Sequence, residues 1–424
     1  MPGAWTTLTL LSLVYAFNFL DRTLIYILFT PIKAELGLGE LELALLGSTS
    51  FVIFYTVLGV PFGRLADRVN RVRMIAVGLV VWSVFSGLTG LMHSFEALFA
   101  CRLMVGVGEA TLGPAAISLL ADYFPAGRRA NANALYAAGV PIGAAAAMFG
   151  GGAIAQAWGW RGAFFALGFP GVVLAAVLLL TVREPRSKPA ATVPALGAPV
   201  VPHRSNWRAI VNNPALRRHT LGYALFALAA NAVSMWIPSL LAVKYDQELK
   251  TVGMAMGACT LIGGISGSLL GGRLADAWRA RSAGGRLRFS ATAAMVCVPL
   301  WFGLLSAPSF TVALLFLTPL LAAALMWLGP ASADLAEIVA PEDRGLAVGL
   351  YFFGVNAVGY GLGPPVLGWL AERAGSATDP RRVADVLVLC PVACCVAALC
   401  LLAAARMRER RVRVVESLAS PHLA

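Results

Sequence analysis

The pentapeptide GRLAD stands at Gly63–Asp67 and returns unchanged at Gly272–Asp276. A longer block repeats with it. GPAAISLLADYFPAGRR begins at Gly113, and GPASADLAEIVAPEDRG begins at Gly329. Pro114, Pro125 and Arg128 fall on Pro330, Pro341 and Arg344 at one constant offset of 216. Two independent matches in corresponding places describe a chain built as two halves. Parallel repeats about an axis along the membrane normal are a transporter architecture.

Composition places these halves in lipid. Of the 424 residues, 59% are hydrophobic and 13% charged, where a soluble chain carries roughly 25% charged residues. Apolar runs recur from end to end, among them Met74–Met92, Gly171–Val182, Leu221–Val243 and Val383–Ala405. A crossing needs ~20 mostly apolar residues. Strand-type alternation is absent, so helices are expected rather than a barrel. Spans are expected near 5–30, 42–63, 73–92, 95–124, 129–157, 159–182, 214–243, 249–272, 288–307, 309–339, 345–371 and 382–405. Trp5–Thr30 is too long for a signal-peptide core and lacks a basic lead-in, so it reads as the first span. Residues 183–213 are rich in Pro and Arg, without helical period, and read as a linker. The expected layout is a six-helix bundle over 1–182, a cytoplasmic linker over 183–213, a second bundle over 214–407 and a tail over 408–424.

The net charge of +12 could suggest a nucleic-acid partner, but its distribution excludes that reading. Seven basic residues, Lys33, Arg161, Lys244, Lys250, Arg373, Arg381 and Arg382, fall on one side of the expected spans. Arg22 and Arg102 lie inside spans, and the remaining 24 of the 33 fall on the other side. Lys/Arg bias marks the cytoplasmic face, so both termini are expected there. Contact with anionic membrane lipids is a by-product. All seven cysteines fall within spans, where they read as small apolar residues. No His or acid interleaves Cys390–Cys400, and neither a metal nor another cofactor is expected.

GRLAD followed by Arg68 and Arg71 resembles the cytoplasmic loop signature of the major facilitator superfamily. The string from Arg102 to Ala110, RLMVGVGEA, resembles another of its signatures. Asn18–Arg22, NFLDR, together with GVGEA at Gly106–Ala110, is similar to the bacterial branch of the spinster family. This resemblance implies an all-α membrane protein with the major facilitator fold, twelve transmembrane helices in two pseudo-symmetric six-helix bundles. It also implies a secondary carrier of an amphiphilic lipid such as a lysophospholipid, working by alternating access and coupled to protons. The setting it implies is a bacterial inner membrane, with a monomeric chain.

The signatures have a physical reading. Gly63 and Gly272 would let helix ends approach closely, and Asp67 and Asp276 would sit beside neighbouring helix N-termini, where a carboxylate gains ~0.3–1 kcal/mol. Arg68, Arg71, Arg128, Arg129 and Arg344 could pair with these acids and with Asp122, Asp334 and Glu337, forming a cytoplasmic gate. Solvated topology charges are the plainer alternative. Glycine-rich fifth and eleventh spans suggest tight or flexing helix contacts.

Four ionisable residues, Asp21, Arg22, Arg102 and Glu109, should lie deep in the first half, with no matching set in the second. Each costs ~2.5–3.5 kcal/mol in hydrocarbon if left alone, so they should face inward and pair. At ~1.5 Å per residue, Asp21 on the first span and Arg102 on the fourth reach similar depths. Asp21 is expected to pair with Arg102. Glu109 is expected to take up a proton in a desolvated site, and Arg22 to anchor an anionic headgroup through its guanidinium fork. A static buried ion network is the alternative. Tyr55, Tyr136, Asn231, Ser234 and Trp236 could line a substrate cavity.

Other classes find little support. His93, His203, His219 and His422 fall in loops, at span ends or in the tail, and no nucleophile–base or metal spacing appears, so no enzyme is expected. No GxxxxGK[ST] exists to bind ATP phosphates. A carrier of a small organic anion or drug is the alternative to a lipid carrier.

Overall fold

The computed structural model describes residues 3–66, 68–185, 210–339 and 344–419. Every regular element among them is helical. Eleven stretches among the described residues are long and apolar enough to cross a membrane. The first four are α1 (Ala4–Ile27), α2 (Glu40–Gly59), α3 (Arg71–Leu91) and α4 (Phe95–Tyr123). The fifth, Asn131–Thr181, is 51 residues long. One helix of that length would span about 77 Å, more than twice the ~30 Å hydrocarbon layer. It breaks at Gly159, whose φ of 74° and ψ of 167° suit glycine alone. The two pieces, α5 (131–158) and α6 (160–181), each cross once. The rest are α7 (Pro214–Lys244), α8 (Leu249–Arg281), α9 (Gly285–Ser306), α10 (Phe310–Leu335), α11 (Leu346–Arg373) and α12 (Pro380–Val414). Twelve crossings result.

Hydropathy marks where lipid ends, not where a helix ends. α8 therefore continues past the expected 272 to Arg281, and the helix of α12 runs past 405 to Ala419. Both extensions are rich in Arg, and the first also in Ala, which are good helix formers in water.

The chain divides into two compact units. Unit 1 holds Met1–Val201 and Met235–Leu261, and unit 2 holds Pro202–Ser234 and Ile262–Ala424. In unit 1 the core is apolar: Leu8, Leu11 and Val14 of α1, Ile75, Leu79 and Trp82 of α3, Leu112 and Leu119 of α4, and Leu178 of α6. Lipid tails are as apolar as these side chains, so helices associate through close packing of small residues. Gly143 of α5 abuts the backbone of Ala16 on α1, and a Cβ on Gly106 of α4 would stand 2.6 Å from the Phe51 carbonyl oxygen of α2. In unit 2, Gly263, Gly267 and Gly271 recur every fourth residue along α8. They lie against the backbone of α10 at Thr318, Ala322 and Met326.

The motif glycines do not do this work. A Cβ added to Gly272 would find nothing within 4 Å, and one added to Gly63 would meet only Pro114 Cβ at 4.0 Å. The close approach expected at Gly272 belongs to its neighbour Gly271.

At the end of unit 1 away from residue 185, the short helix Phe29–Leu36 follows α1. Its Glu35 accepts from Trp160 Nε1 at 2.6 Å and from Arg161. Arg161 also donates to the Met92 carbonyl at 3.1 Å. The turn at Gly159 thus delivers two donors to one carboxylate. Trp160, then Arg161, hold the Glu35 carboxyl below the usual carboxylate range.

Two outcomes are expected from melting the detergent-purified chain. Gly106→Val should destabilise it by about 1–3 kcal/mol through overpacking, whereas Gly63→Ala should stay within about 0.5 kcal/mol of the parent if helix propensity is set aside. Because Glu35 binds its proton less readily when folded, its contribution is present above the ordinary glutamate pKa and fades as pH falls through the lowered value. Glu35→Gln should therefore lower the melting temperature slightly near pH 7, with the gap closing below about pH 4.

Candidate functional site

α1 carries Asn18, Asp21 and Arg22, and α4 carries Arg102 and Glu109. Asp21, Arg102 and Glu109 are fully buried, while the Arg22 side chain keeps 17% exposure. Neighbouring residues on a helix point ~100° apart, and Asp21 and Arg22 do diverge. Asp21 Oδ1 accepts from Ser86 Oγ of α3 at 2.7 Å, with Trp82 beside it. Arg22 Nη2 donates to Glu109 Oε2 at 3.1 Å, with Asn18 beside the carboxylate.

The side-chain pair expected between Asp21 and Arg102 is therefore replaced by another arrangement. Arg102 Nη1 donates to the backbone carbonyl of Asp21 at 3.1 Å, and Nη2 faces that of Arg22 at 3.4 Å. Matched depth does bring α1 and α4 together at these residues, but the rotation of α1 sends the Asp21 carboxylate to α3 and the Arg22 guanidinium to Glu109.

Arg22 is also caged by rings. Its Cζ lies 3.9 Å from the Phe51 centroid, 4.8 Å from Phe19 and 5.2 Å from Tyr55. Cation–π contacts of this kind contribute ~0.5–2 kcal/mol when desolvated. Tyr136 of α5 stacks on Tyr15 of α1 at 4.3 Å, and its buried hydroxyl makes no hydrogen bond. Phe19, Phe51 and Tyr15 carry no polar signature in sequence and are recognisable only once α1, α2 and α5 are packed. Trp236 lies in unit 1, where its ring meets Phe29 at 6.0 Å. Asn231 and Ser234 lie in unit 2, Asn231 buried with its amide nitrogen unsatisfied and Ser234 partly exposed.

At the residue-185 end of unit 1, Arg71 is a hub. It donates to Ser118 Oγ at 2.8 Å, to Asp122 Oδ2 at 2.5 Å and to Glu184 Oε1 at 2.7 Å. Glu184 also accepts from the Val72 amide. This acid follows α6 directly, in a stretch whose composition reads as linker, so nothing in the sequence points to its role. Arg68 and Arg128 are exposed. Asp67, and the side chains of Arg344 and Glu337, lie outside the described residues. In unit 2 the exposed Asp276 accepts from Arg286 at 2.8 Å.

Unit 2 holds its own buried polar groups, including Asp334, an acid expected to pair with an arginine. Asp334 is fully buried, accepts from the Tyr223 hydroxyl at 3.2 Å and lies 3.6 Å from Arg408. The same hydroxyl stands 2.9 Å from Ser290 Oγ. His219, expected at a span end, is fully buried and donates from Nε2 to the Ala331 carbonyl at 3.1 Å. The 216-residue offset that aligns the halves puts Asp334 on Ser118, the hydroxyl partner of Arg71. Asp334 is among the acids expected to pair, but its arginine is Arg408 rather than any of those expected.

A model of the Major Facilitator Superfamily matches residues 11–364. The chain belongs to the major facilitator superfamily. Among curated members it is 31% identical over 408 residues to an MFS-type efflux pump of Mycolicibacterium smegmatis (strain ATCC 700084 / mc(2)155), covering 96% of this chain and 94% of that one. It is 29% identical over 280 residues to protein spinster of Drosophila melanogaster, covering 64% of this chain and 46% of that protein. Among solved structures, a bacterial homologue of the human lysosomal transporter spinster, in an inward-facing and unoccupied conformation, superposes with a TM-score of 0.78. That match has 25% identity and covers 97% of this chain and 98% of the other. The protein is thus a multi-pass, spinster-like major facilitator transporter and not an enzyme.

The Arg22–Glu109 pair should behave as a unit. Glu109→Leu alone strands a buried cation and should cost about 3–5 kcal/mol. Arg22→Met with Glu109→Leu should recover most of that loss, which thermal melting of both single variants and the double variant measures as a coupling energy.

Proposed function

We propose that this transporter carries an anionic amphiphile, such as a lysophospholipid, across the membrane and that proton binding drives the exchange of partners at Arg22. The observation that carries this reading is a guanidinium held between a buried carboxylate and three aromatic rings, 17% exposed. A guanidinium fork suits a phosphate oxygen pair as well as it suits a carboxylate. Protonated Glu109 no longer neutralises Arg22, so a proton and an anionic headgroup bind together. Ionised Glu109 reclaims Arg22 and expels the headgroup. The ring faces of Phe19, Phe51 and Tyr55 suit the glycerol and first methylenes of the ligand. Asp21, on Ser86, is the second carboxylate available to a proton, and Arg102 fixes the height of α1 that both depend on.

The Arg71–Asp122–Glu184 network, with Gly63, Asp67, Arg68, Arg128, Asp276 and Arg344 around the two signatures, serves in this reading as the cytoplasmic gate. Tyr55, Tyr136 and Trp236 in unit 1, and Asn231 and Ser234 in unit 2, are the further residues this reading assigns to substrate contact. The working layout is a bundle over 1–182 and a bundle over 214–407. The linker over 183–213 and the tail over 408–424 are cytoplasmic, in a monomer of the bacterial inner membrane. A second reading, export of a small organic anion or drug, is favoured by the near full-length likeness to an efflux pump.

Reconstitution in liposomes separates them. Movement of lysophosphatidylglycerol, faster under a pH gradient, is expected, with the pH effect lost in Asp21→Asn and Glu109→Gln and movement itself lost in Arg22→Gln. If organic anions move and no lysolipid does, the second reading replaces the first. If lysolipid moves with unchanged pH dependence in both carboxylate variants, proton coupling at these residues is wrong.

A further inference from the structure

A cavity of about 620 Å³ opens at the end of unit 2 where α8 turns into α9 and the helix of α12 runs on. Arg279 and Arg281 of α8, Arg288 of α9 and Arg413 of the α12 helix line it, with one acid, Glu409. Four guanidiniums and one carboxylate thus line the hollow, which is basic. Glu409 Oε2 accepts from Arg288 Nη2 at 2.7 Å, which fixes that side chain at the wall. The volume is within the range of small-molecule sites, ~300–1,000 Å³. None of these residues is among those assigned to substrate contact above.

What lies along the helices identifies the occupant. Residues 7 and 11 apart share a helix face. Leu270 and Leu274 therefore sit on the face of Arg281, and Met295 on the face of Arg288. Leu270 is 44% exposed, Leu274 41% and Met295 46%. Leu274 and Met295 each lie ~10 Å from their arginine, toward the middle of the span. Exposed apolar side chains thus lie along each helix toward a basic hollow at its end. A free phosphate would use the hollow and ignore these side chains. A two-chain phospholipid uses both, its phosphodiester on the guanidiniums and its acyl chains on the leucines and methionine.

We propose that this hollow binds the headgroup of an anionic membrane phospholipid, as a site separate from that for the transported substrate. The full chain, purified in detergent, would be offered dioleoylphosphatidylglycerol and dioleoylphosphatidylcholine in equal amounts, and retained lipid counted by native mass spectrometry. The parent should prefer phosphatidylglycerol, and Arg281→Gln with Arg413→Gln should lower that preference about tenfold or more. Arg373→Gln with Arg381→Gln, an equal loss of charge at the opposite end of the unit, should leave it unchanged. Equal lipid retention in the parent, an unaltered preference in the first variant, or an equal fall in the second would each overturn the site. Displacement of phosphatidylglycerol by equimolar inorganic phosphate would assign the hollow to a free anion and overturn the lipid.

Discussion

Hydrocarbon gives a charge no partner, and much of unit 1 follows from that one constraint. Arg102 is buried where no water can reach it, and it resolves its position by grasping the carbonyls of Asp21 and Arg22. This contact sets α4 against α1 in height. Once the height is set, Glu109, seven residues further along α4, meets Arg22, and Asp21 turns to Ser86 on α3. Three helices are thereby registered by five polar side chains. The glycines Gly106 and Gly143 let α2 and α5 close around them at backbone contact. Small residues supply proximity and the ion set supplies register, in a solvent where apolar side chains discriminate poorly between partners.

The same constraint has been met differently in the two halves. At the residue-185 end of unit 1, an arginine on α3 gathers a hydroxyl and two acids. In unit 2, the position equivalent to that hydroxyl is the acid Asp334, and the arginine near it comes from α12. The aligned position gains a charge and its arginine comes from a different helix, while the position in the fold persists. A duplicated chain can keep its helix packing and diverge in which helix supplies the arginine, because the cost lies in leaving a group unpaired rather than in any particular partner.

Function follows from where the pairing is incomplete. Arg102 is fully enclosed and suits a structural post. Arg22 retains exposure and has one carboxylate and three ring faces, and on this the proposed exchange of partners rests. A carrier needs such a group: strong enough to hold an anion, close enough to a second acid to let it go. In the proposed mechanism Glu109 would supply that competition through its one hydrogen bond to Arg22.

Twelve crossings, two halves and the membrane setting were legible in the sequence, because a ~20-residue apolar length and a repeated pentapeptide are properties of the chain alone. So were the four deep charges, since Asp, Glu and Arg inside a span stand out by type. Which of them meet was not legible, because α1 rotates by ~100° between Asp21 and Arg22 and only packing chooses the azimuth. The Arg22 cage escaped for the same reason, since Phe19 and Phe51 look like any lipid-facing ring. The burial of Asp334 and His219 was not legible, because a residue near a span end is buried or wet according to what the neighbouring helices cover. Gly271, rather than its motif neighbour Gly272, meets α10 because helix phase, not motif membership, decides which glycine faces the partner. Residue types, lengths and repeats belong to the sequence. Azimuth, register and cover belong to the tertiary structure, because each is a relation between helices distant in the chain.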